Sequence, residues 1–429
     1  MTNWIVAQLG ARMHYAVPRI LHAAGALETL YTDICAGRWA EPLRRVPAGL
    51  VPGPLARLAG RIPNGVPRDR IRSFPLLGLE YSARRIAART PSAYTAADLW
   101  AGNAFCLAIL RAGLGEAGGV YAFNSAGLRL LGRARRLGLK TVVEQTLAPS
   151  AVVDELLAQE RAAFPDWQPV EAADRNRMAF RARECGEWES ADRIVCGSHF
   201  VRDGIRRAGG PVERAVVVPY GVDATAPPVL RERASRPLRV LTVGAVGLRK
   251  GTPYLLRAAR LMNGAATFRL VGHVEVTPET ARGMEETVEL TGPAPRASIA
   301  HHLAWADVFL LPSICEGSAT ACYEALAAGL PVITTPNAGS VVRNGIDGFV
   351  VPIRDANAIA ASLEGIRTNP DLLHGLSRNA ALRAREFTVE RYGERLLAAL
   401  EGIGKPAGRL AAIGVTPAAA PEIAEPVAV

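Results

Sequence analysis

The stretch that most restricts what this 429-residue chain can fold into runs from Leu310 to Thr335. An apolar run ends at Pro312, small residues follow, a short helical pattern stops at Gly329, and Pro331 leads into a second apolar run, Val332 to Thr335. That order reads as a buried strand, a turn, a short helix and a second strand, which is one parallel crossover unit.

Two carboxylates stand eight residues apart in this unit, Glu316 in the turn and Glu324 in the helix. Eight helical steps of roughly 100° return to within about 80° of the starting direction, so the spacing predicts that both face one cleft. Between them Gly317, Ser318, Ala319 and Thr320 carry no bulky side chains over the unpaired N–H groups of a helix start. Bare amides there suit a phosphate, and flanking carboxylates suit sugar or ribose hydroxyls, so the stretch proposes a nucleotide-sugar site. The plainer reading is an ordinary crossover whose Glu316 and Glu324 face water.

The spacing Glu, seven residues, Glu, followed by a small-residue helix end and a strand opening Pro331-Val-Ile, resembles glycosyltransferase family 4. The resemblance covers roughly Val120 to Leu396. It implies an α/β fold of the GT-B type: two facing Rossmann-like domains with parallel sheets and a deep cleft between them. It also implies retaining transfer of a sugar from a nucleotide-sugar donor to an acceptor hydroxyl, as in polysaccharide or glycolipid synthesis. In that family Glu316 would hold the donor sugar and Glu324 the ribose.

A second turn points to the same chemistry. After the predicted strand Val240 to Val243 comes Gly244-Ala-Val-Gly247-Leu-Arg249-Lys250-Gly251. Adjacent cations in a Gly-flanked turn can neutralise a departing diphosphate, and the resemblance gives Arg249 and Lys250 that role, with Gly247 beside the donor. One common family form has Arg directly after the first Gly, where this chain has Ala245. The turn is neither a Walker loop, since Lys-Gly-Thr replaces Gly-Lys-Ser/Thr, nor a dinucleotide fingerprint, since Lys250 occupies the third Gly position. Thr291-Gly-Pro293 resembles the edge of the base pocket.

On the first-domain side, the loop after the strand Ile5 to Leu9 runs Gly10-Ala-Arg12-Met-His14-Tyr15; it offers Gly10 as a donor-binding position and Arg12 and His14 as acceptor-side groups. The strand Lys140 to Glu144 ends in Gln145, where the family usually has a His. Gln can bond a sugar hydroxyl but carries no proton at neutral pH, so Glu144 or His14 becomes the alternative proton carrier. The departures at Gln145 and Ala245 motivate a rival reading, a non-catalytic sugar-nucleotide-binding relative. A sugar-nucleotide epimerase of the same fold is a third.

The expected organisation is an N-terminal acceptor domain over 1–218, a donor domain over 219–385, a closing helix over 386–403 that returns to the first domain, and a disordered tail over 404–429. Within the first domain a basic, Pro-rich excursion spans about 35–90. From Arg38 to Arg89 eleven arginines stand against Glu41, Asp69 and Glu80. This asymmetry predicts an anionic partner: a membrane surface met peripherally, or a phosphate-bearing or membrane-bound acceptor. No nucleic-acid-binding signature accompanies the charge.

No Asp-x-Asp pair occurs in the sequence, and no metal or cofactor is expected. The six cysteines form no CxxC pair and read as small buried residues of a reducing cytoplasm. The longest uncharged run, Ala325 to Val342, is broken by Gly and Pro and is not a membrane span; Met1 to Leu9 is too short for a signal peptide. The expected localisation is cytoplasmic, with possible contact to the inner membrane face.

Overall fold

The structure is a computed structural model that describes residues 2–36, 61–168, 174–223, 229, 231 and 235–403. Much of the basic excursion, 37–60, and the expected disordered tail, 404–429, lie outside the described residues.

Strands that are apolar at nearly every position, such as β1 (Trp4–Gln8), need cover on both faces, which a parallel sheet flanked by helices supplies. The first sheet adds β2 (Leu27–Thr32), β3 (Ile71–Ser73), β4 (Gly119–Phe123), β5 (Lys140–Gln145), β6 (Arg193–Cys196) and β7 (Ala215–Val217). All pairings are parallel, in the order β3-β2-β1-β4-β5-β6-β7. The second sheet holds β8 (Leu238–Val243), β9 (Ala266–Val271), β10 (Glu289–Gly292), β11 (Val308–Leu311), β12 (Val332–Thr334) and β13 (Gly348–Val350). Its order is β10-β9-β8-β11-β12-β13, again parallel throughout. Each sheet reverses its winding once, between β1 and β4 and between β8 and β11. Loops leaving those strands diverge and open a crevice at the carboxyl ends.

The expected crossover is present as β11, the helix Thr320–Ala327 and β12. Sequence reading missed β3, a short edge strand among prolines and arginines; the next helix spans Pro75–Ala87, with proline in its first turn. The helix Pro91–Ala112 is long and apolar enough to cross a membrane. Here its inner face, Ala97, Ala101, Phe105, Cys106 and Ile109, is buried in the first domain, and Arg183 donates to Leu99 O at 2.6 Å.

The chain path and the packing divide differently. The helix Ser150–Ala163 follows β5 in sequence, yet Val152, Val153 and Leu156 are buried in the core of the second domain with Val240, Leu255 and Leu310. Its Glu160, fully buried, accepts from Tyr254 Oη at 2.9 Å and from Arg354 Nε at 2.6 Å. Just beyond it, Phe164 meets Tyr254 edge-on and Thr277 N donates to Trp167 O at 3.1 Å. The expected boundary at 218 therefore follows the backbone and not the core, because an apolar helix face packs where it finds an apolar bed, not where the chain order assigns it.

The crossing itself is a double strand of contacts. Val222 N donates to Phe387 O at 2.9 Å, and a Cβ on Gly221 would lie 2.4 Å from Thr388 O. The helix Val389–Glu401 then lies on the first domain, with Gly393 allowing Ile20 of Ala16–Ala23 to approach.

Candidate functional site

The two turns singled out in the sequence meet. Ile314 N donates to Arg249 O at 2.9 Å, so the β8 turn is stitched across the β11 turn at the winding reversal. Gly251 has φ +70°, and a Cβ there would lie 1.9 Å from Pro312 O; only glycine permits this approach. Gly244, at φ +148°, borders the Lys250 stem in the same way.

Lys250 Nζ lies 2.6 Å from Glu316 Oε1, and Arg249 Nη1 donates to the same oxygen. Both cations thus converge on one nearly buried carboxylate, with Oε2 making no hydrogen bond to any described residue. An ion pair in this setting is held by its geometry, and either cation retains further N–H donors.

Next to them the helix Thr320–Ala327 starts without a side-chain cap. Glu316 N donates to Asn337 O and Ala319 N to Ala338 O, whereas none of the described residues accepts from the amides of Gly317, Ser318 or Thr320. The Ser318 side chain is turned inward to Tyr323 Oη at 2.9 Å, so only its amide is offered. Ala319 is corrected as an amide donor, since the Ala338 carbonyl already takes its proton.

The helical-angle argument for the two glutamates is also corrected. Glu316 precedes the helix, so no 100° rotation relates it to Glu324. Glu324 instead pairs with Arg296 at 2.9 Å, and Arg296 is close enough to His14 of the first domain to depress its pKa. Arg296, first residue of the helix Arg296–Trp305, escaped the sequence reading; its place just after Thr291-Gly-Pro293-Ala-Pro was the available signal. Pro293 is exposed just past β10. Gly247 is buried, extended, and bonded through its amide to Thr252 Oγ1 at 2.9 Å; it shapes the turn beneath the cations and is not a donor contact.

The first domain supplies the facing wall. Gly10 N donates to Asp33 Oδ1 at 2.9 Å, and three consecutive non-glycine residues, Met13, His14 and Tyr15, hold positive φ. Such strain persists only where surroundings fix it, and here it presents Arg12 and His14 outward. Desolvation by the cleft walls and then Arg296 lower the His14 pKa, keeping the imidazole neutral at neutral pH.

Gln145 and Glu144 are corrected. Gln145 is fully buried: its Nε2 donates to Glu184 Oε1 at 2.8 Å and Leu147 O at 3.0 Å, and Trp188 Nε1 donates to its Oε1 at 2.9 Å. Both faces of β5 are covered, and Gln145 is taken up inside the first domain, away from the cleft. Glu144 is equally buried, accepting from Tyr121 and from Tyr220 at 2.8 Å, and burial raises its pKa. It ties the interdomain crossing to β5 and is not an acceptor-side group.

The next residue, Thr146, which the sequence reading passed over, reaches the cleft: Arg12 Nη1 donates to its Oγ1 at 3.1 Å. Its carbonyl stands where a Cβ on Gly317 would be, 1.8 Å away. Ala148 N donates to Glu316 O at 3.2 Å and Ser198 Oγ to Gly317 O at 2.5 Å. The first domain is therefore seated directly on the turn that carries Glu316. Among the described residues no cluster of His, Cys, Asp and Glu has metal-binding geometry.

Residues 237–369 match the family model of glycosyl transferases group 1. The amylovoran biosynthesis glycosyltransferase AmsK of Erwinia amylovora is 31% identical over 36% of this chain and 42% of its own length. The putative colanic acid biosynthesis glycosyltransferase WcaL of Salmonella typhimurium is 30% identical over 46% of this chain and 54% of its own. The chain spans about half the length of the curated relatives it matches. Among solved structures, sucrose-phosphate synthase of Thermosynechococcus elongatus aligns over 94% of this chain and 99% of its own with TM-score 0.64 and 18% identity. HepE of Anabaena, in complex with UDP and glucose, aligns over 94% and 100% with TM-score 0.58 and 15% identity. These neighbours share the two-domain arrangement of parallel sheets. Residues 237–369 of this chain thus match a group 1 glycosyl transferase domain, and the chain as a whole has the two-sheet GT-B fold.

Proposed function

We propose that this chain is a retaining glycosyltransferase that moves a sugar from a nucleotide-sugar donor to an acceptor hydroxyl in cell-surface polysaccharide or glycolipid synthesis. The observation that carries the reading is the convergence of Arg249 and Lys250 on Glu316 beside the uncapped start of Thr320–Ala327. Three groups able to meet a diphosphate, a guanidinium, an ammonium and bare amides, share one crevice. The names of the curated relatives support the polysaccharide setting.

In the reaction the bond between the anomeric carbon and the diphosphate oxygen breaks, and its electron pair leaves with the diphosphate. The acceptor oxygen forms the new bond, and its proton passes to the departing oxygen. Arg249, Lys250 and the amides of Gly317, Ser318 and Thr320 offset the negative charge that develops. Glu316 Oε2 takes a donor-sugar hydroxyl, and Glu324, held by Arg296, takes the ribose. His14, Arg12 and Thr146 line the acceptor side, where a membrane-bound or phosphate-bearing acceptor enters. The buried cysteines Cys106, Cys196, Cys315 and Cys322, which form no disulfide among the described residues, agree with a cytoplasmic setting.

A thermal-shift screen over nucleotide sugars, followed by nucleoside-diphosphate release with lipid-extract acceptors, tests the reading. Stabilisation by one donor and acceptor-dependent release are expected. Conversion of that donor without any acceptor would indicate an epimerase instead, and no stabilisation by any donor would overturn both enzymatic readings.

A further inference from the structure

The first domain carries an outward apolar stripe that its own fold does not use. In the helix Pro75–Ala87, Leu76 is 80% exposed, Leu79 60% and Ile86 73%. With Ala83 they recur at helical spacing along one side. The orientation is fixed from beneath: a Cβ on Gly78 would lie 2.4 Å from Ile34 Cγ1, and Tyr81 Oη is bonded to Asp98 Oδ1 at 2.7 Å. The stripe's side chains are therefore left mostly to solvent.

Its surroundings are cationic. Over residues 61–90 seven arginines stand against Asp69 and Glu80. Arg84 pairs with Glu80 and Arg85 with Asp98, while Arg68, Arg72 and Arg89 are exposed and make no ion pair with any described residue. Arg72, whose Nη1 donates to Ala112 O at 3.4 Å, precedes the helix and Arg89 follows it, so a cation stands near each end of the apolar side. An apolar side that enters the acyl boundary, bracketed by arginines at headgroup level, is the chemistry of an anionic bilayer surface.

The placement matters for the cleft. Gly78 packs on Asp33, whose Oδ1 accepts from Gly10 N at the root of the Arg12–His14 loop. We infer that the outward side of Pro75–Ala87 docks the protein on an anionic membrane, holding the acceptor side of the cleft at the lipid surface. This rests on the transferase reading only for its purpose; the docking itself is independent of catalysis.

Co-sedimentation with vesicles of phosphatidylcholine alone and of phosphatidylcholine with phosphatidylglycerol tests it. The full chain should sediment with the anionic vesicles, release as salt rises, and lose about tenfold or more of its binding in the Leu76→Ser, Leu79→Ser, Ile86→Ser variant. A second variant, Arg72→Glu with Arg89→Glu, should weaken binding likewise and decides the matter if the first fails to fold. Equal binding to both vesicle types, unchanged binding in the variants, or no sedimentation of the wild type overturns the inference. So does a dimer that the serine variant dissociates, since the stripe would then meet a second copy. Donor stabilisation measured on the same samples keeps failure here separate from failure of the transferase reading.

Discussion

Lys250 Nζ and Glu316 Oε1 are 2.6 Å apart across the winding reversal of the second sheet, and Arg249 closes on the same oxygen. The carboxylate aims two cations that stem from a different strand. Removing one cation deletes charge stabilisation of the leaving group and leaves Glu316 with a single partner. Lys250→Ala should lower kcat by about 100-fold with a smaller change in donor KM, as steady-state kinetics would show. Lys250→Arg should recover part of the loss.

Gln145 makes its hydrogen bonds inside the first domain, to Glu184, Leu147 and Trp188. Gln145→Ala strands the Trp188 N–H and leaves Glu184 short of a donor. A loss of about 2–4 kcal/mol in denaturant unfolding is expected, with donor turnover retained by the folded fraction. Full stability with abolished turnover would return Gln145 to the reaction.

Gly317 leaves room for Thr146 O, which a Cβ would approach to 1.8 Å. Gly317→Ala should push the first domain off the turn and lower kcat/KM by about tenfold or more, while donor binding to the second domain changes less. Isothermal titration with the donor beside kinetics separates the two effects.

His14 has its pKa lowered by desolvation first and by Arg296 second. A lowered histidine pKa means the folded state resists protonation. Any stability it contributes is present above the ordinary value of 6.5 and is lost as pH falls through the folded pKa. Carbon-detected NMR titration should place His14 below 6.5, and Arg296→Ala should move it upward. If neutral His14 serves the acceptor, the acid limb of kcat/KM moves the same way.

Glu160 is buried between Tyr254 and Arg354 of the other domain. Glu160→Ala removes the acceptor of Tyr254 Oη and Arg354 Nε, and a loss of about 1–3 kcal/mol in thermal or chemical unfolding is expected, since the Arg354 guanidinium keeps Gln159 and some solvent. Replacement of both Glu160 and Arg354 by apolar residues should recover much of it.

The parallel crossover from β11 to β12 and the pairing of the two turns were legible because Gly, Pro and charge are punctuation that a strand-turn-helix path cannot do without. Glu316, Arg249 and Lys250 declared themselves by residue type in a small-residue setting. Gln145 and Glu144 misled because both faces of β5 are covered, Gln145 entering the bonds of Glu184 and Trp188 and Glu144 those of Tyr121 and Tyr220; only Thr146, past the strand end, reaches Arg12. Arg296 and the Glu160–Arg354 contact were invisible because they join segments far apart in the chain, through packing that no local pattern records.

The seating of Val152, Val153 and Leu156 in the second domain's core means the crevice cannot gape by swinging two independent lobes. Either Ser150–Ala163 rides with the lobe it nests in, bending at the stem after Thr146, or an oily seam must be peeled apart, at roughly 1.5–3 kcal/mol for each such side chain. A truncation beginning after residue 218 would deprive that lobe of one of its own walls, and such a fragment is expected to clump instead of standing alone.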